Sequence, residues 1–294
     1  MTKFIRGLSY NTRLAIVAVS AFLFVIPIIF IISNSFMSVA EAGARYTSQV
    51  TLHNAWGLTN QGIHMMEATF LPDVVTFSAY EYVLLNSPGH LRVLWNSIIL
   101  VVPIVLGQLV IGPLAAYGFE RSRHKHKEKL FFLYIITMLM PLQALLVPHF
   151  IVARFFGFDG NYLAIILPAI FGPFGVFLIR QYMKSFEKSM LEAASMDGAS
   201  EMQIFLKIVL PNIKPALTAL LVLAFADAWN IVDQVVVFIQ DTHLLPMSVY
   251  LSNHFIGNIG IVFALSTIFM LPALIVFLYG QDSLGDGIKY SGIR

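Results

Sequence analysis

Six stretches of the chain are apolar and nearly free of charge, over residues 14–32, 95–119, 130–150, 162–180, 216–239 and 259–279. At 1.5 Å of rise per residue each is long enough, as a helix, to cross a hydrocarbon core of about 30 Å. The first follows Lys3, Arg6 and Arg13 and precedes a plausible cleavage sequence, Ser38-Val39-Ala40. Its apolar run is nevertheless about twice as long as that of an ordinary signal peptide, so it reads as a retained span. Residues 33–94 are polar and mixed, with no helical or alternating period that persists, and read as an extended loop with short helices.

Residues 181–214 have a different pattern. Met183, Phe186, Met190, Leu191 and Ala194 recur at helical spacing, while Lys184, Glu187, Lys188 and Glu192 lie off that stripe. Gly198 interrupts the period. Ser200 and Gln203 then fit an N-cap and its third helical position, and a second apolar run begins at Ile204. The expected shape is helix, bend, helix. The fold class that follows is an all-α polytopic membrane protein with six transmembrane helices in one domain, residues 14–280, between an N-terminal segment of residues 1–13 and a tail of residues 281–294.

Charge sets an orientation. Of the 18 lysines and arginines, only Arg45, Arg92 and Arg154 fall in the odd-numbered connections; all others lie in the termini and the even-numbered connections. By the positive-inside rule both termini and residues 181–214 are cytoplasmic, and residues 33–94 are extracytoplasmic. Composition agrees with the membrane reading: 58% of residues are hydrophobic and 12% charged, about half the charged share of a soluble domain. The absence of cysteine excludes disulfides, thiolate metal sites and cysteine nucleophiles. A net charge of +2 gives no support to a nucleic-acid partner.

Polar groups within the spans are few, and a charge in hydrocarbon is costly enough to face inward. The fifth span holds Asp227, Trp229, Asn230, Asp233 and Gln234, with Asp227, Asn230 and Gln234 at i, i+3, i+7 on one helical face. Asn96, Gln108, Gln143 and His149 lie in the second and third spans. Two readings stand side by side: a polar pathway, in which Trp229 stacks on a sugar face while Asp227 and Asn230 bond hydroxyls, or interhelical hydrogen bonding that fixes a bundle. The prolines in or beside the spans, at 27, 103, 113, 141, 148, 168, 173, 215 and 272, each remove a backbone hydrogen bond and favour kinks.

The order Glu192-Ala193-Ala194, three residues, Gly198, nine residues, Ile208-Val209-Leu210-Pro211 resembles the cytoplasmic signature of membrane subunits of binding-protein-dependent ABC importers. Further segments are similar to the carbohydrate, maltose-type branch: Asn96-Ser97 with its approach from Tyr80, Met140-Pro141 to Pro148, Arg180-Gln181-Tyr182 and Ala228-Trp229-Asn230. The resemblance implies that Glu192, Ala193, Ala194, Asp197, Gly198, Ile208, Leu210 and Pro211 form an ATPase-coupling loop, and that Asp227, Trp229, Asn230, Asp233, Gln234, Gln143 and Asn96 line a substrate pathway. It implies as partners a second homologous permease, two ATPase subunits, an extracytoplasmic solute-binding protein, a sugar substrate and the lipid bilayer, in the inner membrane of a bacterium. ATP and Mg are expected on the partner ATPase, with no cofactor or metal on this chain. Two departures stand out: Asp233-Gln234 replaces the branch's usual aromatic-proline pair, and the Gly-rich tail is only loosely matched by Gly285 to Gly292.

The chain contains no Gly-x-x-x-x-Gly-Lys-Ser/Thr segment and no recognisable catalytic constellation, so it is expected to be a non-catalytic subunit. From other classes, the residues also admit an ion- or proton-coupled carrier using Asp227 and Asp233, or a membrane scaffold that transports nothing.

Overall fold

The computed structural model describes residues 10–46, 49–50, 63–64, 69–185, 188–253 and 259–290. Phe186 of the apolar stripe, Glu187 off it, and Ser291 and Gly292 of the tail lie outside the described residues. Helix α1 is Tyr10–Asn34 and α2 is Val39–Tyr46. A minimal antiparallel pair follows, β1 (Gln49–Val50) against β2 (Ile63–His64), with Gln49 opposite His64. Helix α3 (Ser78–Glu81) continues into a π-turn, Tyr82–Asn86, ahead of α4 (Pro88–Arg121). Next come α5 (Lys127–Ile136), α6 (Leu142–Phe155), α7 (Leu163–Ile170), α8 (Pro173–Met183), α9 (Lys188–Met196) and α10 (Glu201–Ile204). A second π-turn, Phe205–Val209, leads to α11 (Leu210–Asn212), and α12 (Lys214–Trp229), α13 (Asp233–Phe238), α14 (Met247–Asn253) and α15 (Ile259–Tyr290) complete the chain.

Among the described residues four helices are long and apolar enough to cross a membrane, rising to as many as six if each of two bent pairs is one span. The third expected span is one of these. Its two pieces, Lys127–Leu139 and Leu142–Phe155, meet at 106°. Met140 is extended and Pro141 is the N-cap of α6, because proline lacks the N–H that a continuing helix needs and disfavours helical geometry in the residue before it. The second bent pair is Glu201–Asn212 with Lys214–Trp229, which meet at 74°. The fifth span, expected as one helix to Ile239, breaks again at its far end. Helix α12 ends at Trp229, and the Asn230 side chain turns back 2.8 Å to the Ala226 carbonyl, an alternative partner that competes with helix continuation. Of the nine prolines, Pro141, Pro173 and Pro215 thus begin helices, whereas Pro27, Pro103, Pro113, Pro148, Pro168 and Pro272 sit within them. Helix α15 does not stop at Tyr279 but runs through most of the expected tail.

The chain divides into two compact units. The first comprises residues 1–91 and 251–270. Met37, Ala42 and Tyr46 form its small core, with Phe30, Ile259 and Phe263 packed on it. The buried Asn34 side chain is fully used: Nδ2 donates to the carbonyls of Phe30 (2.9 Å) and Thr69 (3.0 Å), and Oδ1 accepts from the Tyr46 hydroxyl (2.9 Å). Arg45 pairs with Glu41 at 3.2 Å and with Asp73.

The second unit comprises residues 92–250 and 271–294. Here helices approach closely where glycine removes the side chain: a Cβ on Gly107 would overlap Ile170, and one on Gly280 would overlap Val222. Polar side chains tie helices to backbone carbonyls, as with Gln108 Nε2 to Ala169 O at 2.8 Å and the Tyr134 hydroxyl to Phe171 O at 2.7 Å. Arg180, on α8, is 0% exposed. Its Nε donates to Glu120 at 3.3 Å, its Nη2 to Glu128 at 2.5 Å, and its guanidinium lies 3.9 Å over the Phe131 ring. One residue therefore clamps the ends of α4, α5 and α8 together. Large apolar side chains such as Val102, Leu106, Phe132, Ile275 and Leu278 remain exposed, as suits surfaces covered by lipid.

Candidate functional site

The loop of residues 181–214 has the expected helix-bend-helix form, with one boundary moved. Met183 belongs to α8, so the first loop helix is α9 alone. The helix closes at Gly198, whose φ is +81°. Its N–H donates to Ser195 O at 3.2 Å and that of Ala199 to Ala194 O at 3.1 Å, the paired bonds of a Schellman motif. A Cβ at Gly198 would meet nothing within 4 Å, so the backbone conformation, not crowding, requires glycine. Gly198→Val is accordingly expected to destabilise the bend by about 1–2 kcal/mol, read as faster proteolysis of the loop, whereas Gly198→Asn, tolerant of the left-handed region, should retain it.

Ser200 starts the next helix with the expected capping box. Its Oγ accepts from the Gln203 N–H at 3.3 Å, and Gln203 Oε1 accepts from the Ser200 N–H at 2.9 Å. Of the signature residues beyond it, Ile208 and Leu210 are half-buried and Pro211 is exposed. The anchoring side chains are their neighbours Ile204, Phe205, Val209 and Ile213, all buried, because the π-turn inserts a residue and rotates the apolar face.

A bidentate strut joins the loop to α4. Arg121 donates through Nε (3.0 Å) and Nη2 (2.6 Å) to the Glu201 carboxylate and through Nη2 to Ser195 Oγ at 3.3 Å, while the Tyr117 hydroxyl donates to the same carboxylate. Sequence reasoning missed this contact and the Arg180 clamp. The arginines and acids were visible, but nothing in their spacing pairs residues so far apart. Beside the strut lies a cleft of about 780 Å³, lined by Arg121, Arg123, His124 and Lys127 on one side and by Leu191, Glu192 and Ser195 on the other. Glu192, Ala193, Asp197 and Met196 are exposed, Met196 by 88%, and Ala194 is half-buried. Along this cleft α9 thus presents one exposed carboxylate, Glu192, and one exposed apolar side chain, Met196, with the small Ala193 beside them.

The two span breaks meet in a second place. A groove of about 480 Å³ is lined by Leu142, Ala226, Asp227, Asn230, Asp233 and Gln234, and Gln143 Nε2 donates across it to Asp233 Oδ2 at 3.1 Å. Asp227, Asn230 and Gln234 are together because the chain breaks and folds over, not because they share a helical face. Irregular backbone at membrane depth is tolerated where it lines a polar cavity. Two expected members are elsewhere. Trp229 is 3% exposed with its ring stacked on Phe225, 5.1 Å between centroids, leaving no face for a ligand. Asn96 is 6% exposed and donates to the carbonyls of His243 (2.8 Å) and Leu245 (3.0 Å), a structural peg. No group of three or more His, Asp and Glu side chains able to hold a metal occurs among the described residues.

The family described as binding-protein-dependent transport system inner membrane component matches residues 108–288. The arabinooligosaccharides transport system permease protein AraQ of Bacillus subtilis is 26% identical over 76% of this chain and 80% of its own length. The lactose transport system permease protein LacG of Rhizobium radiobacter is 31% identical over 67% of this chain and 73% of its own. A crystal structure of a bacterial ABC transporter involved in import of the acidic polysaccharide alginate contains a chain with a TM-score of 0.76 and 25% identity, covering 94% of this chain and 98% of that one. The chain is a multi-pass membrane protein belonging to the inner-membrane permease family of binding-protein-dependent ABC transporters, alongside sugar-transport permeases.

Proposed function

We propose that this chain forms half of the translocation pathway of an ATP-driven bacterial sugar importer, coupled through residues Glu192 to Pro211 to a separate ATPase subunit. The observation that carries the coupling is the exposed side of α9, where Glu192, Ala193 and Met196 have no side-chain hydrogen bond or ion pair among the described residues, in a loop tied through the Arg121–Glu201 strut to α4. In this reading the chain crosses the membrane six times with both termini cytoplasmic, the bent segment of residues 127–155 making one span and residues 214–238 another. Helix α12 has 16 residues, about 24 Å of rise, and needs α13 to complete the crossing.

A second homologous permease supplies the other half of the path, two ATPase subunits carry ATP and Mg, and a solute-binding protein delivers substrate on the extracytoplasmic side. The chain itself is non-catalytic. The substrate class is carbohydrate, and names of relatives that refer to arabinooligosaccharides and lactose support an oligosaccharide. Asp227 and Asp233 border the groove and no lysine or arginine does, which favours an uncharged saccharide at this half of the path.

Uptake of labelled oligosaccharides into vesicles containing the assembled transporter tests the reading. Asp233→Asn, which weakens the link to Gln143, is expected to reduce ATP-driven uptake by about tenfold, the scale of one lost charge-assisted hydrogen bond, while an ionophore leaves wild-type uptake unchanged. Uptake that needs no ATP and collapses with the ion gradient would instead support a carrier that uses Asp227 and Asp233.

A further inference from the structure

The turn between α4 and α5 carries a feature that the transport reading does not use. A groove of about 310 Å³ runs between these helices, lined by Ala115, Gly118, Phe119 and Leu130 and closed at one end by Ser122, His124 and Lys127. Its floor is open at Gly118, where a Cβ would meet nothing within 4 Å. Leu114 and Leu130 beside it are 41% and 51% exposed. The groove is thus apolar along its length and polar at one end.

The polar end is rich in donors. His124 Nδ1 accepts the His126 N–H at 3.2 Å, so the neutral ring carries its proton on Nε2. Ser122 Oγ accepts the His124 N–H at 3.2 Å and keeps its own proton to donate. Lys127 Nζ donates to Glu120 O at 2.9 Å, using one of its three protons. Around this trio Arg123, Lys125 and Lys129 are exposed. Lys129 lies three and four residues before Phe132 and Leu133, which are 66% and 63% exposed, so a cation stands at the end of an apolar helical face. That is the level of lipid headgroups when such a face meets a bilayer.

We infer that the α4–α5 turn is a binding site for an anionic phospholipid, one acyl chain lying against Gly118 and the phosphate held by Ser122, His124 and Lys127 within the field of Arg123, Lys125 and Lys129. A soluble phosphate has no use for the apolar groove, and a zwitterionic lipid gains little from the surrounding cations. Ser122, His124 and Lys127 also line the cleft that contains Glu192. On the proposed coupling function, which this consequence alone rests on, an occupied lipid site stiffens one wall of that cleft.

The test is lipid retention by the purified full-length chain, equilibrated with phosphatidylglycerol and phosphatidylcholine of matched acyl chains and read by native mass spectrometry. Wild type is expected to retain phosphatidylglycerol by about tenfold over phosphatidylcholine. Arg123→Gln alone should cut that preference by about fivefold, to roughly twofold, the scale of one surface cation. Gly118→Leu should reduce retention of both lipids, and since leucine is a better helix former than glycine, an unchanged thermal midpoint shows that the loss is not unfolding. Equal retention of the two lipids, undiminished retention in Gly118→Leu, or displacement of the lipid by inorganic phosphate would overturn the inference. No ATPase enters the measurement, so its failure is distinct from failure of the coupling reading.

Discussion

Glu192→Lys is expected to abolish ATP hydrolysis stimulated by the loaded binding protein and to weaken ATPase retention by about 30-fold or more. Glu192 is exposed on a short helix whose outward neighbours are Ala193 and the 88%-exposed Met196. A carboxylate at the edge of a cation-lined cleft, with no ion pair among the described residues, beside a small residue and an apolar knob, is suited to a partner that covers the knob and adds a cation. Disrupting a desolvated interfacial pair costs about 2–5 kcal/mol, and even the lower figure corresponds to roughly a 30-fold loss. Because Glu192 forms no part of the core, the variant should melt with the wild type. Pull-down from mildly solubilised membranes, read with stimulated hydrolysis, checks both parts. A variant that unfolds, or one that retains full stimulation, would remove Glu192 from the coupling surface.

The second large effect concerns Arg180. Converting its acids together, Glu120→Gln with Glu128→Gln, leaves a guanidinium that is 0% exposed without a countercharge. Breaking a buried ion pair in this way costs about 3–5 kcal/mol. Arg180→Met is expected to cost less. The thioether can keep contact with the Phe131 ring, and the freed carboxylates of Glu120 and Glu128, whose side chains are 23% and 62% exposed, can reach water. Thermal midpoints in detergent should therefore fall in the order wild type, Arg180→Met, double glutamine variant. The reverse order of the two variants would mean that the Arg180 charge is not desolvated.

Much of this architecture is local and could be read from the sequence. The apolar runs announce their helices by length alone. Gly198 and the Ser200–Gln203 pair mark the bend because a positive φ and a capping box each need particular residues within a few positions. What escaped has causes beyond local pattern. The break at residues 230–232 depends on Asn230 finding the Ala226 carbonyl, and beyond the π-turn at Phe205–Val209 it is Val209 and Ile213, rather than Ile208 and Leu210, that are buried. Asn96 and Trp229 carry polar or aromatic chemistry equally suited to a pathway or to packing, and only tertiary neighbours decide which use they have. The groove's key contact, Gln143 to Asp233, is likewise long-range. So are the Arg180 clamp and the Arg121–Glu201 strut, where charge pairs form between helices distant in sequence.

The absence of cysteine makes the central claim directly testable, since any introduced thiol is unique in this chain. The measurement is cross-linking from Met196→Cys in assembled membranes, with Phe132→Cys on the lipid-exposed face of α5 as the comparison. The expected result is an adduct between the Met196→Cys chain and a cytoplasmic ATPase subunit, with none from Phe132→Cys. Absence of an ATPase adduct at Met196→Cys, or equal adducts at both positions, would contradict the placement of α9 in an ATPase subunit and with it the ATP-driven importer.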